Sequence, residues 1–138
     1  PSWTTLLDPD RLDHLRARQH FPAMRDAQGG YLKRSFIHVD DLVRAILSSL
    51  DNAQAFGQLF NIAMDEPVDY GRVSERLKTV AGLEPADIDT PFHSNWLDNS
   101  KARKILGWEP VIDLDGLVDR AWSYRRAAND PRIVWYPG

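Results

Sequence analysis

The chain has 138 residues, 43% of them hydrophobic and 27% charged, with a formal net charge of −3 and no cysteine. That is the size of one ordinary domain with apolar content sufficient for a core. The charge balance lacks the clustered Lys and Arg that a nucleic-acid partner needs, and the absence of thiols excludes disulfides, thiolate metal sites and thiol catalysis.

No apolar run approaches the ~20 residues that span a bilayer, and no signal peptide opens the chain, so neither membrane nor export is expected. The lack of cysteine suits a reducing cytoplasm, the expected location. The chain begins at Pro1 instead of Met, as expected after processing, proteolysis or truncation.

Asp8-Pro9 reads as a helix start, with Asp as cap and Pro at the first helical position. Leu12, Leu15 and Gln19 give the spacing, which ends near Phe21-Pro22 because proline disfavours a helical residue before it. Met24 to Lys33 is polar, with Gly29-Gly30 as a turn signal. Phe36, Ile37 and Val39 then form a short apolar run suited to a strand. Asp40 or Asp41 is expected to cap the next helix, where Val43, Ile46, Leu47 and Leu50 share one face. Residues 58–63 (Gln-Leu-Phe-Asn-Ile-Ala) read as a second short strand.

Asp69 is expected to cap a helix with Val73, Leu77 and Val80 inward and Gly82 as its stop. Residues 83–95 read as irregular, with Pro85 and Pro91. Asp98 is expected to cap a short helix carrying Ala102, Ile105 and Leu106, closed by Gly107, with Trp108 folding back and Pro110 preventing continuation. Asp113 caps a last amphipathic helix through Leu114, Leu117, Val118, Ala121 and Trp122. The tail carries Trp135 and Tyr136, which suits docking. No internal repeat or linker divides the chain, so residues 1–138 read as one unit.

Catalytic machinery is absent from the pattern. The eight glycines nowhere form the strand–turn–helix turn that lets backbone amides approach a pyrophosphate. Tyr31, Tyr70, Tyr124 and Tyr136 all lack the Lys four residues on that would lower a phenol pKa for acid–base work. No Walker loop, nucleophile elbow or metalloprotease helix occurs. His38 with Asp40 and Asp41 is the one cluster with metal-ligand residue types. Strand alternation turns neighbours to opposite faces and capping already accounts for an Asp, so no metal site is assigned. Arg34 stands out, because a guanidinium is a rigid fork matched to phosphate or carboxylate. From the residues alone it reads equally as a surface cation or as a partner of Asp40 or Asp41.

Taken in order, the following elements resemble the C-terminal part of the NAD-dependent epimerase/dehydratase family, the extended short-chain dehydrogenases: Arg34 ahead of Phe36-Ile37-His38-Val39-Asp40-Asp41, then Phe60-Asn61-Ile62, the helix from Asp69, and Asp98-Asn99-Ser100-Lys101-Ala102 followed by Leu106-Gly107-Trp108-Glu109-Pro110. The match runs from about Gly29 to Arg125. It implies an α/β fold, mostly helical with a few short strands, lacking most of the Rossmann sheet. It further implies a substrate lobe joined to a strand–helix piece of the cofactor domain, a complete copy of neither.

In nucleotide-sugar enzymes of the family, the Arg at this place contacts the diphosphate, which points to Arg34. The aromatic two residues on lines the nucleotide or sugar side, which points to Phe36, whose other reading is a core residue. Trp96 and Trp108 read as packing residues. A second Arg usually found a dozen residues before the Ser-Lys-Ala element is missing from residues 87–93, so one half of the diphosphate clamp is absent, which counts against a nucleotide-sugar and is compatible with a smaller sugar or a non-sugar carbonyl or alcohol. The resemblance implies a small-molecule substrate of sugar or nucleotide-sugar type in the parent, with NAD or NADP held by residues outside this chain. No catalytic, cofactor-binding or metal-binding residue is assigned here. Orphan strands and apolar faces are expected to be covered by self-association into a homo-oligomer. The alternative is an autonomous, non-catalytic binding or oligomerisation module.

Overall fold

In chain order the elements are α1 (Pro9–Ala17), β1 (His20–Arg25), β2 (Lys33–Arg34), α2 (Val39–Leu50), a 3-10 turn (Ala53–Ala55), β3 (Val68–Asp69), α3 (Tyr70–Ala81), β4 (Glu84–Asp89), α4 (Ser100–Leu106) and α5 (Leu114–Ser123). This computed structural model describes residues 9–125 and 127–129. The expected cap at Asp8 and the expected docking of Trp135 and Tyr136 lie outside the described residues. The architecture is the mostly helical α/β one that the elements predict.

Two proline-bearing segments that read as punctuation are strands. β1 and β4 pair in parallel, from His20 opposite Glu84 to Arg25 opposite Asp89. The outer edge of β1 is met only at its end, by the Arg25–Tyr31 bridge and the Leu32 amide on the Met24 carbonyl, and a proline whose missing N–H faces away from the partner strand removes nothing from the ladder. Pro22 and Pro85 therefore fit. Ile88 is buried between exposed Asp87 and Asp89, the alternation of a strand with one wet face. The irregular reading of residues 83–95 fails over Glu84–Asp89, where the alternation outweighs Pro85, and holds for residues 90–95.

The expected strand at Phe36–Val39 is displaced. Only Lys33 and Arg34 pair, antiparallel with Asp69 and Val68, and Val39 already belongs to α2. His38, instead of an aspartate, caps that helix, its Nδ1 accepting from the Asp40 amide at 3.1 Å. The aspartates reach other elements. Asp40 accepts from Arg120 of α5 at 2.9 Å. Asp41 is fully buried and accepts from the amides of Val111 (3.2 Å) and Ile112 (3.0 Å) and from Arg44. Its carbonyl takes the Trp108 indole N–H at 3.0 Å.

Trp108 folds back as expected after Gly107, which is left-handed at φ 62, and is buried with Ala45, Ala55, Ala102 and Leu106. Trp96, also expected to pack, is instead 58% exposed. A second cluster joins Met64, Val68 and Leu77 to Leu114 and Val118 of α5. Asp69 and Asp113 cap α3 and α5, accepting from Gly71 and Gly116 amides at 2.8 Å each. Asp98 accepts from the Ser100 amide at 2.8 Å, one residue outside the cap position held by Asn99.

One expected apolar face finds no cover among the described residues, and one expected strand finds no ladder partner there, although its Phe60 and Ile62 pack against the Trp108 cluster. On α2, Val43, Ile46, Leu47 and Leu50 do share a face, and it is open to solvent, with Leu47 60% exposed. Residues 58–63 have no ladder partner, and Leu59 is 84% exposed. Extended chain becomes a strand only where another strand meets it, and none of the described strands does. Val80 and Trp122, expected inward, are also exposed. No described helix is long and apolar enough to cross a membrane.

Gly71 in the first turn of α3 sits under the Tyr31 ring. A Cβ there would lie 2.4 Å from Tyr31 Cδ2 and 2.9 Å from its Cγ. Gly71→Ala gains up to about 1 kcal/mol of helix propensity, but forcing the ring root aside costs about 1–3 kcal/mol. The expected result is a lower urea midpoint, whereas Gly71→Ala with Tyr31→Ala relieves the clash.

Candidate functional site

Arg34 ends a two-residue strand held on both sides. β3 pairs along one edge. Along the other, the Asn95 amide donates to the Lys33 carbonyl at 3.1 Å, and Ser94 Oγ accepts from the Lys33 amide at 3.0 Å. Ser94 in turn donates to Asp26 at 2.6 Å. That bond, with the Gln28 and Gly30 amides, holds the Asp26 carboxyl below its ordinary range against partial desolvation. The loops at 26–30 and 90–95 are thus tied to the strand that carries Arg34.

Strand alternation separates Lys33 from Arg34. Lys33 pairs with Asp69 at 3.6 Å. Arg34 donates from Nη1 to the His93 carbonyl at 2.9 Å, and its guanidinium lies 5.5 Å from the centre of the Phe92 ring. Burial pushes the Tyr70 phenol above its ordinary pKa, with the Arg34 charge pulling it down. The His93 ring accepts at Nδ1 from the Gln28 amide, 3.0 Å away.

The electrostatic inventory singles this arginine out. The other half-buried cations with described side chains each meet a carboxylate: Arg25 with Asp87, Lys33 with Asp69, Arg44 with Asp41, and Arg76 with Asp119. Arg34 is half-buried and, among the described residues, has no carboxylate partner. Asp40 and Asp41, its expected bland partners, are engaged by Arg120 and Arg44. Phe36, two residues on, is 46% exposed and belongs to neither large cluster. The structure therefore brings Arg34 together with Phe92, His93 and the neighbourhood of Tyr70. The sequence reading gives Tyr70 no role beyond its missing lysine and places residues 92–93 in an irregular segment without an arginine, where His93 carries no separate signal. The signal it passed over is the Phe92-His93 pair itself, an aromatic and a polar residue in a segment returning to β2.

His38 is occupied as a cap, and no group of three His, Cys, Asp or Glu converges among the described residues. A cleft of about 190 Å³ opens elsewhere, lined by Met64, Asp65, Glu66, Arg72 and residues 110–114. Its charged groups are already engaged, Arg72 with Glu66 at 2.5 Å, Asp65 with Arg103 at 2.6 Å and Asp113 with the Gly116 amide it caps, and it is below the ~300 Å³ at which ligand pockets usually begin.

No protein-family model matches the chain. It is 31% identical over 98 residues to the dTDP-4-dehydro-6-deoxyglucose reductase of Escherichia coli, which covers 64% of this chain and 29% of that enzyme. It is 29% identical over 103 residues to the UDP-glucuronate 4-epimerase of Thermodesulfobacterium geofontis, covering 68% of this chain and 31% of that one. Among solved structures, a short-chain dehydrogenase/reductase superfamily protein from Agrobacterium tumefaciens with bound NAD superposes at a TM-score of 0.69. That match has 23% identity over 81% of this chain and 36% of the other. Other structural neighbours carry NAD or NADPH. The chain spans about a third of the length of the curated relatives it matches.

Proposed function

We propose that this chain, which shares sequence and fold with part of the NAD-dependent epimerases and dehydratases of the short-chain dehydrogenase superfamily, is the C-terminal, substrate-binding portion of such an enzyme. Its substrate is a sugar or nucleotide-sugar, and Arg34 holds the substrate's anionic group while Phe36 lines the same side. NAD or NADP is held by residues outside this chain, and hydride transfer occurs there, in the cytoplasm. The chain alone is catalytically silent. The observation that carries the proposal is a half-buried guanidinium with no carboxylate partner among the described residues, on a strand fixed from both edges. A guanidinium in that state has forgone part of its hydration without a counterion, and an arriving anion supplies one.

The test is an NMR titration of the purified chain with UDP-glucuronic acid. Saturable shifts at Arg34 and Phe36 are expected, weakened about tenfold or more by Arg34→Ala, since charge-assisted bonds are worth about 1.5–3 kcal/mol. Shifts that survive that substitution unchanged sink the assignment.

A second reading, a non-catalytic oligomerisation module, is favoured by one observation: the uncovered apolar face of α2. The two readings share the expectation that copies of the isolated chain associate.

A further inference from the structure

Arg34 offers one positive charge and one open donor edge. Its Nη1 is committed to the His93 carbonyl at 2.9 Å, while Nε and Nη2 have no acceptor among the described residues. Among the described residues, the surroundings add no second free cation. The floor is the neutral Phe92 ring. Lys33 lies on the other side of the strand with Asp69. Arg25, on the adjoining β1, is held by Asp87 at 2.7 Å and stacked 3.9 Å over Tyr31. His93 presents its carbonyl oxygen to Arg34, a partial negative charge, and has its Nδ1 taken by Gln28.

A diphosphate spreads two or more negative charges over two tetrahedral centres and calls for cations on both. Here the first charge would be met, while the second would find the His93 carbonyl and, among the described residues, no further free cation. A carboxylate is planar, carries one charge and matches the Nε–Nη2 edge of a guanidinium in two parallel bonds. We infer that the group held at Arg34 is the single carboxylate of a sugar acid and not the diphosphate of a nucleotide-sugar. The inference rests on the proposal that Arg34 is the substrate's anion site.

The experiment titrates the chain, at about 150 mM salt, with D-glucuronate, D-glucose, inorganic pyrophosphate and UDP, following the Arg34 side-chain and Phe92 resonances. Glucuronate is expected to saturate them at least tenfold more tightly than pyrophosphate, UDP or glucose. Arg34→Lys, which keeps the charge and loses the fork, weakens glucuronate at least fivefold. Tighter, Arg34-dependent binding of pyrophosphate or UDP overturns the carboxylate assignment and leaves Arg34 as an anion site. Equal binding of glucose and glucuronate, or no Arg34-dependent saturation with any of the four, overturns both.

Discussion

Asp41→Ala is expected to lower the unfolding free energy by about 3 kcal/mol, one of the largest losses available to a single side chain here. The carboxylate is fully buried and joins α2 to residues 111–112 beyond α4. Removing it leaves two backbone amides without acceptors, one of them on buried Ile112, and each such loss costs about 1–3 kcal/mol. Arg44 adds less, because its side chain is 42% exposed and can return to water. Asp41→Asn keeps the shape and one acceptor oxygen, so about half the loss is expected.

The pH dependence has a definite sign. Burial pushes the Asp41 pKa up, but the Arg44 bond and the amides of Ile112 and Val111 outweigh it and hold the carboxyl below its ordinary value. A group depressed in the folded state stabilises fully above its unfolded pKa, about 3.9, and that stability is lost as pH falls through the lower folded value. Stability should therefore be flat from neutral pH down to about pH 5 with respect to this group and decline below about pH 4. Asp41→Asn should flatten that decline. Denaturant midpoints across pH 2–7 measure it, and an unaltered acid slope in the variant would refute the coupling.

Asp41 also shows where sequence reasoning stops. Its residue type and its place before an apolar helix predict a cap, and the cap is His38 because the helix begins at Val39, ahead of both aspartates. Nothing local distinguishes a capping aspartate from one that accepts amides seventy residues away. Local physics did suffice at Asp69, Gly82, Gly107 and Asp113, where cap and stop geometry involve only near neighbours. It failed at β1 and β4, whose pairing is long-range and whose prolines are harmless only because each strand is an edge. Arg34 is singled out as a candidate by its position in the family pattern alone. That no described carboxylate pairs with it was not legible, because that depends on which carboxylates other cations have taken.

The isolated chain is expected to sediment as a dimer or larger species at micromolar concentration, and Ile46→Lys with Leu47→Glu should return it to monomer. Helix α2 has the periodicity of a buried amphipathic helix, yet its apolar face meets solvent, Ile46 at 50% and Leu47 at 60% exposure. The segment 58–63, which has no strand partner among the described residues, adds exposed Leu59 to the uncovered apolar surface. A helix acquires such a face for a partner surface. In an enzyme of the relatives' length, the cofactor-binding part is the natural cover, and without it a second copy is the most available one. Each large aliphatic side chain contributes about 1.5–3 kcal/mol when fully buried, so two charged replacements weaken association by at least a hundredfold. A wild-type chain that stays monomeric at about 100 μM, or a double variant that associates as tightly as wild type, would remove α2 from the interface. If the same two substitutions leave the urea midpoint unchanged while abolishing association, the face does no work within this fold and exists for what docks on it.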